Sequence, residues 1–185
     1  MALTPTKQIE LGFQMPAFKL PDTISGKMIN HWEITGEKGT LVMFICNHCP
    51  YVLHIIPELV KIGYDYLDKG IGVVAISSND IVNYPEDNPQ RMKEFALSLK
   101  FPFPYLFDET QDVAKAYDAV CTPDYNLFDA GGKCVYRGQL DGSRPGNNVE
   151  VSGADLRSAI DLVLAGKSVP EKQIPSTGCS IKWKK

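Results

Sequence analysis

Two thiols separated by two residues, Cys46 and Cys49 with Asn47 and His48 between them, are the part of this chain best suited to chemistry. The apolar run Thr40 to Ile45 leads into them, and from Pro50 onward the pattern is that of an amphipathic helix. In such a junction the first cysteine lies among the unpaired N–H groups at the helix N-terminus, where the positive end of the dipole stabilises a thiolate, and the second falls in the first turn. His48 adds a cation or donor beside the pair. Its expected effects are a further lowering of the Cys46 pKa and a more oxidising couple. The chemistry implied is reversible disulfide formation: Cys46 is expected to be the more exposed and acidic thiol and to attack a substrate disulfide, after which Cys49 resolves the mixed disulfide. Half of a structural zinc site is the competing reading. It would need a second short spacing, and Cys121, Cys134 and Cys179 have no cysteine closer to them than twelve intervening residues, so neither a metal nor an organic cofactor is expected.

The elements that must hold these thiols alternate. Strands are expected over 40–46, 71–78, 104–107, 124–129 and 133–140, and helices over 50–69, 88–100, 110–119 and 153–165, with Pro57 inside the first helix. Alternation of this kind indicates βαβ units, that is, an α/β fold. The first thirty residues, with Pro5, Pro16, Pro21 and the turn Ser25-Gly26, predict a small hairpin, and Ala130-Gly131-Gly132 joins the last two strands. The final twenty residues carry Gly166, Pro170, Pro175 and Gly178 and are expected to run as an extended tail.

At 185 residues the chain is expected to be one domain over 1–185, without internal repeats. A net charge of -3 with no block of five like charges argues against nucleic acid or an anionic membrane as partner. Residues 1–12 hold no apolar core of signal-peptide length and no segment approaches a membrane span, so a cytoplasmic location is the expectation. Five cysteines, an odd number, suit redox chemistry at a subset better than a disulfide scaffold.

The strand, CxxC, helix, βαβ, Thr-Pro, hairpin and closing helix together resemble the thioredoxin-like superfamily over 35–165. The N-terminal extension and the long insertion before Thr122-Pro123 look more like its peroxiredoxin-type AhpC/TSA branch. Within that branch the chain is similar to peroxiredoxin-like proteins carrying a CxxC, with Ser143-Arg144-Pro145-Gly146-Asn147 and Gly178-Cys179-Ser180-Ile181-Lys182-Trp183 as further matching stretches. The resemblance implies a thioredoxin-like fold, a central mixed β-sheet flanked by helices. It also implies a thiol-disulfide oxidoreductase in redox homeostasis and antioxidant defence, with a protein or small-molecule disulfide as substrate and a thiol as electron donor. Two departures stand out. Setting Cys49-Pro50 on the peroxidatic P-x-x-x-T/S-x-x-C pattern puts Val42 at the Pro and Cys46 at the hydroxyl residue, while Ile45 and Thr40 occupy the places of thioredoxin's Trp and buried Asp. The peroxide-binding hydroxyl and the buried proton acceptor are both absent from their usual positions.

The same resemblance implies a cis bond at Thr122-Pro123, presenting the Thr122 main chain as a docking edge for a substrate strand. Arg144, on the loop after the last strand, is a candidate for steadying a thiolate or binding an anionic substrate. Cys179 is a candidate resolving thiol on a movable tail, with Ile181-Lys182-Trp183 docking as a short edge strand. Cys121 and Cys134 are read as packing, and His31 and His54 as structural. The rival readings are a hydroperoxide reductase using Cys46 or Cys49, and a non-catalytic module that binds a partner or metal through the same fold.

Overall fold

The structure, a computed structural model, describes residues 3–185. In chain order its elements are β1 (Leu3–Pro5), β2 (Lys19–Pro21), β3 (Met28–Asn30), β4 (Gly39–Phe44), α1 (Pro50–Tyr66), β5 (Ile71–Ser77) and α2 (Pro89–Ser98). Then follow β6 (Tyr105–Phe107), α3 (Asp112–Ala116), β7 (Cys121–Thr122), β8 (Asp124–Asp129), β9 (Cys134–Tyr136), α4 (Ala154–Leu164) and β10 (Thr177–Ser180).

The central sheet has the order β6-β5-β4-β8-β9; β4, β5 and β6 run parallel, and β8 and β9 antiparallel. Every residue of β4 and β5 is buried, as expected for strands covered on both faces and read as unbroken apolar runs. Alternate β4 side chains go to opposite layers. Leu41 and Met43 pack with Leu59 and Ile62 of α1 and with Leu156 and Ile160 of α4, while Val42 and Phe44 pack with Ala114 of α3, Tyr117 and Phe128. The mixed sheet flanked by helices, and the β2–β3 hairpin ahead of it, match the expectation.

Pro50 occupies the first position of α1, where its fixed φ suits a helix start and its missing N–H costs nothing. Pro57 lies inside the helix. The carbonyl it cannot serve is that of Leu53, a residue 47% exposed, so water can take that acceptor. The chain then turns at Gly70, whose φ of 92° is left-handed.

The C-terminal segment departs from the expected extended tail. β10 is the middle strand of a sheet ordered β1-β10-β7, antiparallel to both neighbours. Its strand residues are 177–180 rather than the alternating 181–183, because the close approach to Thr122 needs a residue without a side chain. A Cβ on Gly178 would lie 2.0 Å from the Thr122 carbonyl oxygen.

Candidate active site

Cys46 follows the C-terminal end of β4 and Cys49 is the N-cap of α1, so strand and helix hold both sulfurs against Thr122. Cys46 Sγ lies 3.4 Å from Thr122 Oγ1, and Cys49 Sγ lies 3.2 Å from the Thr122 carbonyl oxygen. Thr122-Pro123 is cis. All five cysteines are free thiols.

The two thiols titrate together, and their surroundings favour a Cys49 thiolate over the Cys46 thiolate that the helix-terminus argument favoured. Cys49 is lowered to about 5, first by the Cys46 thiol and then by the Cys179 thiol and the N–H groups of Val52 and Cys179, with burial opposing. Cys46 is raised well above an ordinary thiol because its proton is held by Cys49, because it is buried, and because the Asp87 charge is close. Nor is Cys46 exposed: it keeps 1% of its surface and Cys49 none. The exposure expected of Cys46 is therefore corrected, and donors that only the folded chain assembles act on the pair beside the helix dipole.

Asp87 anchors the residues between the thiols. It ends the 3₁₀ turn Pro85–Asp87 and is fully buried. It accepts the Asn47 N–H at 2.8 Å and the Asn79 side-chain amide at 2.7 Å, and it lies 2.7 Å from His48 Nδ1 as an ion pair. Asn47 is pinned further by donating to the Glu86 carbonyl at 2.8 Å and accepting from the Tyr105 hydroxyl at 3.0 Å. His48 stacks on Tyr84 at 5.6 Å, and Asp87 raises its pKa against the opposing effect of burial. Donor atoms of Cys46, His48 and Asp87 lie within 4.8 Å of one another, the one such group among the described residues with the spacing to hold a metal ion.

Asp87 was not singled out in the sequence, although a signal existed. It lies in the loop after β5, the parallel neighbour of β4, and in open α/β sheets functional loops gather at the carboxyl ends of adjacent strands. It is a buried carboxylate reaching Cys46 from a different place in the chain than thioredoxin's.

The remaining candidates differ in where the fold puts them. Cys179 is brought in, but on a fixed strand rather than a mobile tail: it is 3% exposed and pairs with Thr122 across β10 and β7. The docking edge expected at Thr122 and Pro123 is consequently filled by the chain itself, with Ser176 Oγ also donating to the Pro123 carbonyl at 2.7 Å. Arg144 lines a cleft with Pro123 and Tyr51, but its guanidinium is tied to the carbonyls of Asp141 and Ser143 and to Gln139 Oε1, which makes it a brace of its own loop. Cys121 and Cys134 are buried and pushed up to about 12 by burial, as packing residues should be. His54 Nε2 meets Ser143 Oγ at 2.7 Å, and His31 packs on Trp32.

The chain is similar to several known proteins. A solved structure of an uncharacterized conserved protein from Geobacillus kaustophilus is 53% identical, with a TM-score of 0.97 over 100% of this chain and 97% of that one. A hypothetical protein of Sinorhizobium meliloti 1021 is 45% identical, with a TM-score of 0.95 over 98% of each. The thioredoxin domain of a Bacteroides vulgatus thiol-disulfide oxidoreductase, 21% identical, superposes with a TM-score of 0.65 over 85% of this chain and 99% of its own, which makes the fold thioredoxin-like. The thiol-disulfide oxidoreductase ResA of Halalkalibacterium halodurans is 29% identical over 67% of this chain, and the match spans 65% of that protein's length. No helix among the described residues is long and apolar enough to cross a membrane. The AhpC/TSA family matches residues 11–137, a span that holds the whole central sheet, α1 to α3 and Thr122, and the chain belongs to the AhpC/TSA family.

Proposed function

We propose that the chain is a thiol-disulfide oxidoreductase working through Cys46 and Cys49, with a protein or small-molecule disulfide as substrate and a thiol as electron donor. The observation that carries this reading is that the two sulfurs converge on Thr122, Cys46 Sγ lying 3.4 Å from its hydroxyl and Cys49 Sγ donating to its carbonyl at 3.2 Å. In the reductive direction Cys46 attacks the substrate disulfide, and its proton passes to the adjacent Asp87 carboxylate. Cys49, made more acidic by the thiols of Cys46 and Cys179, then loses its proton and attacks Cys46 Sγ; the internal disulfide forms and the substrate's second sulfur leaves as a thiolate that takes up that proton. The acceptor missing from the usual thioredoxin position is not needed for Cys49. It is needed for Cys46, where Asp87 lies.

A hydroperoxide reductase is the second reading, supported by family membership and by a Cys49 pKa of about 5 next to Pro50. Against it, the position of the peroxide-binding hydroxyl is Cys46, and both sulfurs are covered. The deciding test is reduction of insulin disulfides with dithiothreitol, run beside consumption of hydrogen peroxide. Disulfide reduction lost in both Cys46→Ser and Cys49→Ser supports the proposal; full activity in either variant refutes it.

A further inference from the structure

The strand that fills the docking edge carries a thiol, and it carries it to one particular sulfur. Antiparallel pairing sets Cys179 opposite Thr122, and the Thr122 carbonyl is the group that Cys49 Sγ touches at 3.2 Å. Cys49 draws hydrogen bonds from both the side chain and the N–H of Cys179, whereas Cys46 turns toward the Thr122 hydroxyl, His48 and Asp87. The register cannot drift. β1 pairs along the other side of β10, Gly178 fits within a Cβ's width of the Thr122 carbonyl, and beyond the strand Ile181 N–H donates to the Val120 carbonyl at 2.9 Å. Lys182 continues the attachment: its carbonyl accepts the Asp80 N–H at 2.8 Å, and its own N–H reaches Asn79 Oδ1 at 2.8 Å. Cys179 thus stands where a docked substrate cysteine would stand, supplied by the chain's own C-terminal strand.

We propose that Cys179 is a third redox thiol acting as an internal substrate: it takes Cys49 out of the Cys46–Cys49 disulfide, so that the oxidised protein interconverts between Cys46–Cys49 and Cys49–Cys179 bonds. Cys179 gives up its proton, which ends on the departing Cys46, and its sulfur attacks Cys49 Sγ. The Cys49–Cys179 bond forms, the Cys46–Cys49 bond breaks, and Cys46 leaves as a thiolate that is protonated by way of the His48–Asp87 pair. No net oxidation occurs, so no further oxidant is required. The consequence is that Cys46 is freed for a second encounter with substrate while the oxidised bond is held on the C-terminal strand. The inference rests on Cys46–Cys49 being a redox pair, and it deepens that reading by giving Cys49 two partners.

Disulfide mapping of the full chain tests it, after equilibration with oxidised glutathione, acid quench, alkylation and peptide mass spectrometry. Wild-type protein should yield both bonds. Cys46→Ser should convert Cys49 and Cys179 from two alkylated thiols to none, while Cys49→Ser should yield no Cys46–Cys179 bond. Gly178→Ala, whose Cβ pushes β10 off Thr122, should lose Cys49–Cys179 and keep Cys46–Cys49. Free Cys49 and Cys179 in oxidised Cys46→Ser would overturn the proposal, and so would a Cys46–Cys179 bond in Cys49→Ser. A wild-type protein that forms no Cys46–Cys49 bond would instead refute the underlying oxidoreductase reading, and the two failures are read from different peptides.

Discussion

The reduction potential of the Cys46–Cys49 couple should change its pH dependence near pH 5. Reducing a disulfide to two neutral thiols takes up two protons with two electrons, so its potential falls by ~59 mV per pH unit; when one thiol ionises, one proton fewer is bound and the slope halves to ~30 mV. An ordinary pair with thiol pKa values of ~8.5 keeps the steep slope up to that pH. Here Cys49 ionises at about 5 and Cys46 well above the ordinary range, so the shallow slope should extend from pH 5 past neutrality. The sign follows from where the charge exists. Only the reduced form carries the thiolate, so the lowered pKa stabilises the reduced form above pH 5, and this stabilisation disappears as pH falls through 5. At pH 7 the two-unit gap is about 2.7 kcal/mol, or ~58 mV toward a more oxidising couple. Equilibration with glutathione buffers from pH 4 to 8 measures the slope. Asp87 raises the pKa of His48, so the series is repeated in His48→Ala to separate its proton from that of Cys49. Alkylation by residue supplies the assignment: the Cys49 peptide should label with a midpoint near 5, and Cys46 only at alkaline pH. A steep line unbroken from pH 4 to 8, or a midpoint near 5 on Cys46, would refute the reasoning.

Three further outcomes follow from the same geometry. His48→Ala leaves the buried Asp87 carboxylate without its cation beside Cys46, which should make the couple more reducing by ~30 mV for each 1.4 kcal/mol of thiolate stabilisation lost; an unchanged or more positive potential would remove His48 from the mechanism. Asp87→Asn replaces the charged acceptor of the Asn47 N–H and the Asn79 amide, and should cost about 2–3 kcal/mol in denaturant unfolding. The same variant should lower the pKa of Cys46, as its neighbouring anion goes, and that of His48, as its partner goes; a Cys46 alkylation profile that stays put would show the charge is not felt there. Oxidation by hydrogen peroxide, followed by stopped flow, should be slow because no hydroxyl preorganises the peroxide oxygen beside Cys49; a rate comparable with dedicated peroxidases would make peroxide the substrate.

What could be read from the sequence depended on how local each feature's causes are. β4, β5, α1 and α4 were legible because period and burial agree within each segment. Long apolar runs gave the doubly covered strands, and Pro50 and Gly70 marked the ends of the region holding α1. β9 was expected over 133–140 but stops at Tyr136, because the chain next enters Gly138, where a Cβ would lie 2.6 Å from the Tyr136 ring. β10 was not legible as a strand at these residues, since its four positions carry Gly178 and small side chains and are held by pairing with β1 and β7 and by the burial of Cys179 in the core.

The acidity of the pair shows the same division more sharply. Spacing alone places a helix N-terminus at the thiols, and that argument predicts a stabilised thiolate at Cys46; it takes no account of groups brought in from elsewhere in the chain. The balance between the two sulfurs is set by those groups. Asp87, from the loop after β5, sets an anion beside Cys46, and Cys179, from the last strand, sets two donors beside Cys49. Both act in one direction: Cys46 keeps the proton and Cys49 the charge. Moving β10 off Thr122 would withdraw the Cys179 donors from Cys49 and uncover the edge at the same time. The strand that hides the dithiol therefore also tunes it, and a substrate strand that displaced β10 would meet a pair whose charge is less firmly held on Cys49 and more available to Cys46.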